Sequence, residues 1–215
     1  MFDSCSRYEE SDGFSCRFVN FVVQDAGIAY DDVRYEMPDE YAQFKKTQLA
    51  EWNPLATIPV VELNGKILTQ SYAIVRHFAR VLGKYDGSTE EEKFWADRIC
   101  DAVIDWRTRF VAAFLSPTKD VDYPEHKKTT RVTFLKGINE LLLSHELSNS
   151  GPFVIGKEFT YSDMVLYQII HDEGLSQDGQ KELKAGGYER LAQLTAAVEA
   201  RPNVAAFLKS DRYLG

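Results

Sequence analysis

The sequence predicts a molecule in two parts, a small α/β domain over residues 1–83 and an all-α domain over 90–215. Three observations carry that division. Asn64-Gly65 separates two short β-rich runs, and this dipeptide most readily takes the two positive φ values of a type I′ turn. Ahead of the hairpin, a helical period is followed by a strand-like run, the alternation that builds a mixed sheet. Beyond a polar connector at 83–89, Trp95, Ile99, Val103, Trp106, Phe110 and Phe114 follow at spacings of 4, 4, 3, 4 and 4, a continuous apolar stripe on one long helix.

The elements follow in order. Phe14, Phe18, Phe21 and Val22 share a helical face over 14–26, which Gly27 can terminate. Residues 28–35 are rich in β-formers and read as a strand. The opening Met1-Phe2-Asp3-Ser4-Cys5-Ser6-Arg7 reads as a poor buried strand. Pro59 heads the first hairpin strand, and because proline cannot donate a ladder bond it predicts an edge or a cis turn. Ser71 is placed to cap a helix whose buried face is read as Ile74, Phe78, Val81 and Leu82. In the second part, 125–147 reads as one helix with Val132, Leu135, Ile138 and Leu142 inward. Residues 162–172 and 188–198 supply two more, and Pro202 starts a short final one.

Composition narrows the function. Hydrophobic residues make up 44 %, aromatics 13 % and charged residues 27 %, so a folded core is expected. With 25 Lys+Arg against 33 Asp+Glu the net charge is −8, the wrong sign for gathering nucleic-acid phosphates. Cys5, Cys16 and Cys100 have neither metal-site nor redox spacing, which predicts a reducing compartment and no metal. No apolar run approaches a membrane span, and nothing at the start reads as a signal peptide, so a cytosolic protein is expected. The histidines show no pairing; His77 reads as an ordinary helix residue.

The chemistry concentrates in Asn53-Pro54-Leu55-Ala56-Thr57-Ile58-Pro59-Val60-Val61, the hairpin, and Gln70-Ser71-Tyr72-Ala73-Ile74. Gln70-Ser71 follows a strand and opens a helix, so a hydroxyl and unpaired N–H groups converge where the dipole favours an anion such as a carboxylate. These residues, in this order, resemble the glutathione transferase superfamily, whose thioredoxin-like domain carries an Ile-Pro-x-Val strand, a hairpin and a Gln-Ser or Glu-Ser pair. The resemblance runs from about residue 14 to 210. Ala26-Gly27-Ile28, Tyr30, Asp32-Val33-Arg34 and the Gln70 run look most like sigma-type members. Phe159-Thr160-Tyr161-Ser162-Asp163 looks like the family's internal capping box, a structural device, and Glu199-Ala200-Arg201-Pro202-Asn203-Val204 like its usual ending.

The resemblance implies roles residue by residue. Gln70 and Ser71 would hold the γ-glutamyl carboxylate and amine of glutathione, and the backbone of Ile58 before Pro59 would pair with the cysteinyl unit. Tyr41, Lys45, Trp52 and Asn53 would complete the site. Asp101 would reach the γ-glutamyl amine across a homodimer interface. Phe14, Arg109, Phe110, Phe114 and Tyr213, with Leu214, would line the acceptor pocket.

The residue that activates the thiol stays open. Tyr8 fits the spacing of Tyr-type members if one residue is inserted in the following loop. Ser11, Ser15 and Cys16 stand where Ser- and Cys-type members start the first helix, and where a helix dipole favours a hydroxyl or thiolate. The implied activity is conjugation of glutathione to a small apolar electrophile. Glutathione-dependent cis–trans isomerisation and a non-catalytic binding protein of the same fold are the alternatives, the latter resting on the weak first strand.

Overall fold

The computed structural model describes residues 5–10, 18–35 and 39–213. It divides into two compact units, Met1–Val81 with Arg201–Gly215, and Leu82–Ala200. The predicted ranges differ from these units at the chain's end, where residues 201–215 group with the first unit instead of the helical one.

In the first unit the order is β1 (Cys5–Glu10), α1 (Phe18–Asp25), β2 (Asp31–Tyr35), α2 (Asp39–Phe44), a π-helical turn (Lys45–Leu49), α3 (Ala50–Trp52), β3 (Val60–Leu63), β4 (Lys66–Thr69) and α4 (Ser71–Leu82). The four-stranded sheet runs β2-β1-β3-β4, with β1 parallel to β2 and every other neighbour antiparallel. This is the α/β arrangement that the resemblance implied.

The opening strand corrects the sequence reading. A weak apolar pattern over 1–7 predicted a poor strand, yet β1 is an inner strand, because β2 and β3 supply ladder partners on both its edges. The strand expected over 28–35 begins later, at Asp31. The reason is a Schellman closure of α1: Gly27 takes φ +68°, its N–H bonds Gln24 O at 3.0 Å, and Ile28 N–H bonds Val23 O at 2.9 Å. Asn64 (φ +51°) and Gly65 (φ +75°) form the expected two-residue turn between β3 and β4.

The buried face of α4 is Ile74, Val75, Phe78 and Ala79, while Val81 is 54 % exposed. The helix is thus rotated from the predicted face, with the stripe continuing through residue 75 rather than 81. Helix α11 (Pro202–Leu208) completes this unit. Its Phe207 meets Phe21 of α1 edge-to-face at 5.7 Å, and Arg201 grips the buried Asp25 carboxylate through two bonds of 2.7 Å.

The second unit comprises α5 (Glu90–Phe114), α6 (Lys119–Lys128), α7 (Thr130–Ser144), a short 3₁₀ turn (Glu146–Ser148), α8 (Tyr161–Asp172), α9 (Gln177–Ala185) and α10 (Glu189–Glu199). Thr89 and Glu92 cap the start of α5 reciprocally, at 3.2 and 2.9 Å. The predicted stripe is the core: Trp95, Ile99, Val103, Trp106 and Phe110 are all buried, and Phe114 is half-buried. The helix expected over 125–147 is two helices that break at Thr129, and Val132 is 41 % exposed instead of inward.

Helix α8 is buried from Tyr161 through Ile170. In its first turn, Asp163 receives Val154 N–H at 2.7 Å and, from Thr160, the N–H at 2.8 Å and the hydroxyl at 2.7 Å. No helix among the described residues is long and apolar enough to cross a membrane.

Candidate functional site

The hairpin register builds the site. Val60 of β3 lies opposite Thr69 of β4, so the residues just outside the ladder, Pro59 and Gln70, meet at one end of the hairpin. The Ile58–Pro59 peptide is cis, the second of the two conformations that the strand-leading proline predicts; the edge alternative fails, since β3 pairs with both β1 and β4. On the other side of β3, Tyr8 is the register partner of Val60, which brings the backbone of β1 to the same end.

Gln70 takes φ +68°, a left-handed conformation that costs a non-glycine residue about 1 kcal/mol or more. That turn swings the chain directly from β4 into α4. Ile74 N–H closes the first helical bond on Gln70 O at 2.9 Å, so the N–H groups of residues 71–73 have no carbonyl within the helix to bond. Ser71, 8 % exposed, sits first in that turn. A carboxylate meeting this corner would find donors and the positive end of the helix dipole.

The flank of the site is an aromatic cluster. Phe44, Leu49 and Val60 form its buried centre, and Tyr35, Tyr41, Trp52, Ile58 and Ile67 pack around them. Tyr35 stacks on Phe44 at 4.0 Å, and Trp52 meets Phe44 at 6.1 Å, ring edge to face. Of the candidates, Tyr41, Trp52 and Ile58 therefore share one cluster, and the exposed Lys45 holds its Nζ 6.0 Å from the Tyr41 ring centroid. Phe44 and Leu49, which carry this wall, are five apart. The wider π-helical turn puts both inward, a spacing that a search at 3.6 residues per turn passes over.

Asn53 is buried and bonds within its own loop. Its Nδ2 donates to Thr57 O at 2.7 Å and to Thr57 Oγ1 at 3.1 Å, and Leu55 N–H donates to its Oδ1 at 3.2 Å. Its amide shapes the loop that leads into Pro59.

The remaining candidates are spread more widely. On α5, Asp101 and Arg109 are exposed, Phe110 is buried, and Phe114 lies 5.5 Å from Phe110 between ring centroids. Tyr213 belongs to the first unit, against Phe207 at 5.4 Å and Phe21 at 6.3 Å. Ser11, Phe14, Ser15, Cys16 and Leu214 lie outside the described residues.

Comparison with known proteins points one way. The family model for the glutathione S-transferase N-terminal domain matches residues 13–80, and that for the glutathione S-transferase C-terminal domain matches 104–211. Glutathione S-transferase P 10 of Caenorhabditis elegans is 28 % identical over 202 residues, covering 91 % of this chain and 86 % of its own. Hematopoietic prostaglandin D synthase of Gallus gallus is 31 % identical over 189 residues, covering 86 % of this chain and 84 % of its own. Among solved structures, a monomeric glutathione S-transferase of the hookworm Necator americanus superposes with a TM-score of 0.79 at 18 % identity, a likeness of fold over 97 % of both chains. With both domain models matched in order along nearly the whole chain, this protein belongs to the glutathione S-transferase family.

Proposed function

We propose that the protein joins the thiolate of glutathione to a small apolar electrophile, with glutathione held at the end of the hairpin. The observation that most supports this reading is the Val60–Thr69 rung, which sets the backbone before Pro59 beside the start of α4. In the reading, Ser71 and Gln70 bind the γ-glutamyl end, the Ile58 backbone pairs with the cysteinyl unit, and Tyr41, Lys45 and Trp52 flank the rest. Asn53 shapes the approach loop. A free thiol near pKa 8.5 is only a few per cent ionised at pH 7, so a donor that stabilises the sulfur anion raises the reactive population. The thiol proton leaves, the C–S bond forms, and the electrophile's leaving group departs with its electron pair. The acceptor rests against the end of α5 at Arg109 and Phe114, with the buried Phe110 packed behind Phe114.

Ser71→Ala is expected to weaken glutathione binding by about 1–3 kcal/mol, the cost of leaving a bound carboxylate short of one charge-assisted bond. Calorimetric titration measures it, and an unchanged affinity removes Ser71 from the site. Mass analysis of the product distinguishes conjugation from isomerisation, because an isomer keeps the substrate's mass.

The reading also includes a homodimer at micromolar concentration, in which Asp101 of one protomer reaches the glutathione of its partner. Sedimentation is expected to give twice the 24.5 kDa chain mass. A monomer at that concentration removes both the dimer and the role given to Asp101.

A further inference from the structure

Helix α6 has an unusual means of attachment. Of its ten residues, Lys119–Lys128, only His126 is buried, and its one aliphatic side chain, Val121, is 69 % exposed. Aliphatic burial, the ordinary glue of a helix in a bundle, is therefore missing here. Instead His126 Nε2 lies 2.6 Å from Glu173 Oε1, both side chains almost fully buried. Trp106 Nε1 of α5 donates to the same oxygen at 2.8 Å. One carboxylate oxygen at the end of α8 thus ties α5 and α6 together, and its sister atom, Glu173 Oε2, is buried with no hydrogen-bond partner among the described residues.

Tyr123 stands one turn before His126, on the same face of α6. It meets Phe114 edge-to-face at 5.3 Å and Phe110 at 6.0 Å, while the His126 ring lies 6.1 Å from Phe110. Burial and the Glu173 charge push the Tyr123 phenol upward, so it stays neutral against these rings. A shift of α6 would therefore carry Tyr123 away from Phe114.

We infer that His126 is a positioning residue for acceptor selection: its bond to Glu173 clamps α6 onto α5, and through Tyr123 sets the angle of the half-buried Phe114 ring, backed by the buried Phe110, against which a flat aromatic electrophile lies. The inference rests on the reading of Phe114 as an acceptor-facing residue, with the buried Phe110 behind it. It adds three residues, Tyr123, His126 and Glu173, that do not touch the reacting atoms.

The test uses three variants of the full chain: His126→Leu, which removes the donor; His126→Gln, whose amide nitrogen stands where Nε2 stood; and Tyr123→Leu. Amide hydrogen exchange over 119–128 and the separate KM values for glutathione and an activated aryl chloride are measured. His126→Leu is expected to lose protection over 119–128 and to raise the aryl chloride KM at least about fivefold, which corresponds to about 1 kcal/mol, with the glutathione KM unchanged. His126→Gln is expected to restore both. Tyr123→Leu is expected to raise the acceptor KM alone, and it decides the matter if His126→Leu does not fold. Unchanged protection and acceptor KM overturn the inference, as does an equal rise in both KM values. If the parent protein turns over no aryl chloride, the transferase reading fails. Protection lost with leucine and regained with glutamine would still uphold the clamp.

Discussion

Asp163→Ala is expected to lower stability by about 3–4 kcal/mol, because three buried donors lose their acceptor together and each such loss costs about 1 kcal/mol or more. The donors are Val154 N–H and the N–H and hydroxyl of Thr160. A typical domain has only about 5–15 kcal/mol to lose, so the urea midpoint should fall by more than about 1 M. An unchanged midpoint would mean that the donors find other acceptors.

The same carboxyl gives a pH signature. Burial pushes Asp163 up to about 6, against the opposing pull of its hydrogen bonds and the Arg190 charge. In the unfolded chain the group ionises near its ordinary value of 3.8. Between those values the unfolded chain has released its proton while the folded protein still holds it, so stability falls as pH rises from about 4 to about 6, by about 3 kcal/mol at most. Below that window the loss is absent, and above it the loss is complete. Asp163→Asn, which cannot ionise, is expected to show no such slope from this position when urea midpoints are measured across pH 3.5–7.

Tyr8→Phe carries the second large effect. The backbone of Tyr8 is the register neighbour of Val60, one residue beyond Pro59, so this tyrosine arises at the end of the sheet where the thiol is proposed to lie. If its hydroxyl donates to sulfur, phenylalanine deletes one preorganised donor to an anion. That loss is worth about 3 kcal/mol, and turnover should fall about a hundredfold with glutathione affinity nearly unchanged. The thiolate absorbance of bound glutathione should also titrate at higher pH. Retention of turnover by Tyr8→Phe, with loss in Ser11→Ala, Ser15→Ala or Cys16→Ala, would move the role to that residue.

Elements with a strong local signal were legible in the sequence. Asn64-Gly65 dictates its own turn, and the stripe from Trp95 to Phe110 can satisfy itself only as one face of a long helix. What depends on partners elsewhere in the chain was not. Strand β1 has a poor pattern of its own and exists through the two strands beside it. The π-helical turn hides the pairing of Phe44 with Leu49 behind a spacing no regular helix uses. In the candidate site, Pro59, Gln70 and Ser71 could be read because a short hairpin leaves little choice about which residues meet at its end. The His126–Glu173 bond could not, since its partners lie 47 residues apart and neither carries a motif.

The make-up of the first unit bears on how the protein is born. Ribosomes release a chain from its N-terminus, and domains ordinarily fold in that order. Here the segment that carries Phe207 and Arg201, the partners of Phe21 and Asp25, is made after the whole of the second unit. At usual elongation rates, α1 leaves the ribosome roughly ten seconds or more before those partners exist. The central helical unit, whose residues are contiguous, can bury its core during that interval. A nascent chain stalled near residue 200 would carry a first unit still lacking α11, so the side of α1 that meets Phe207 and Arg201 stays uncovered until those residues are made.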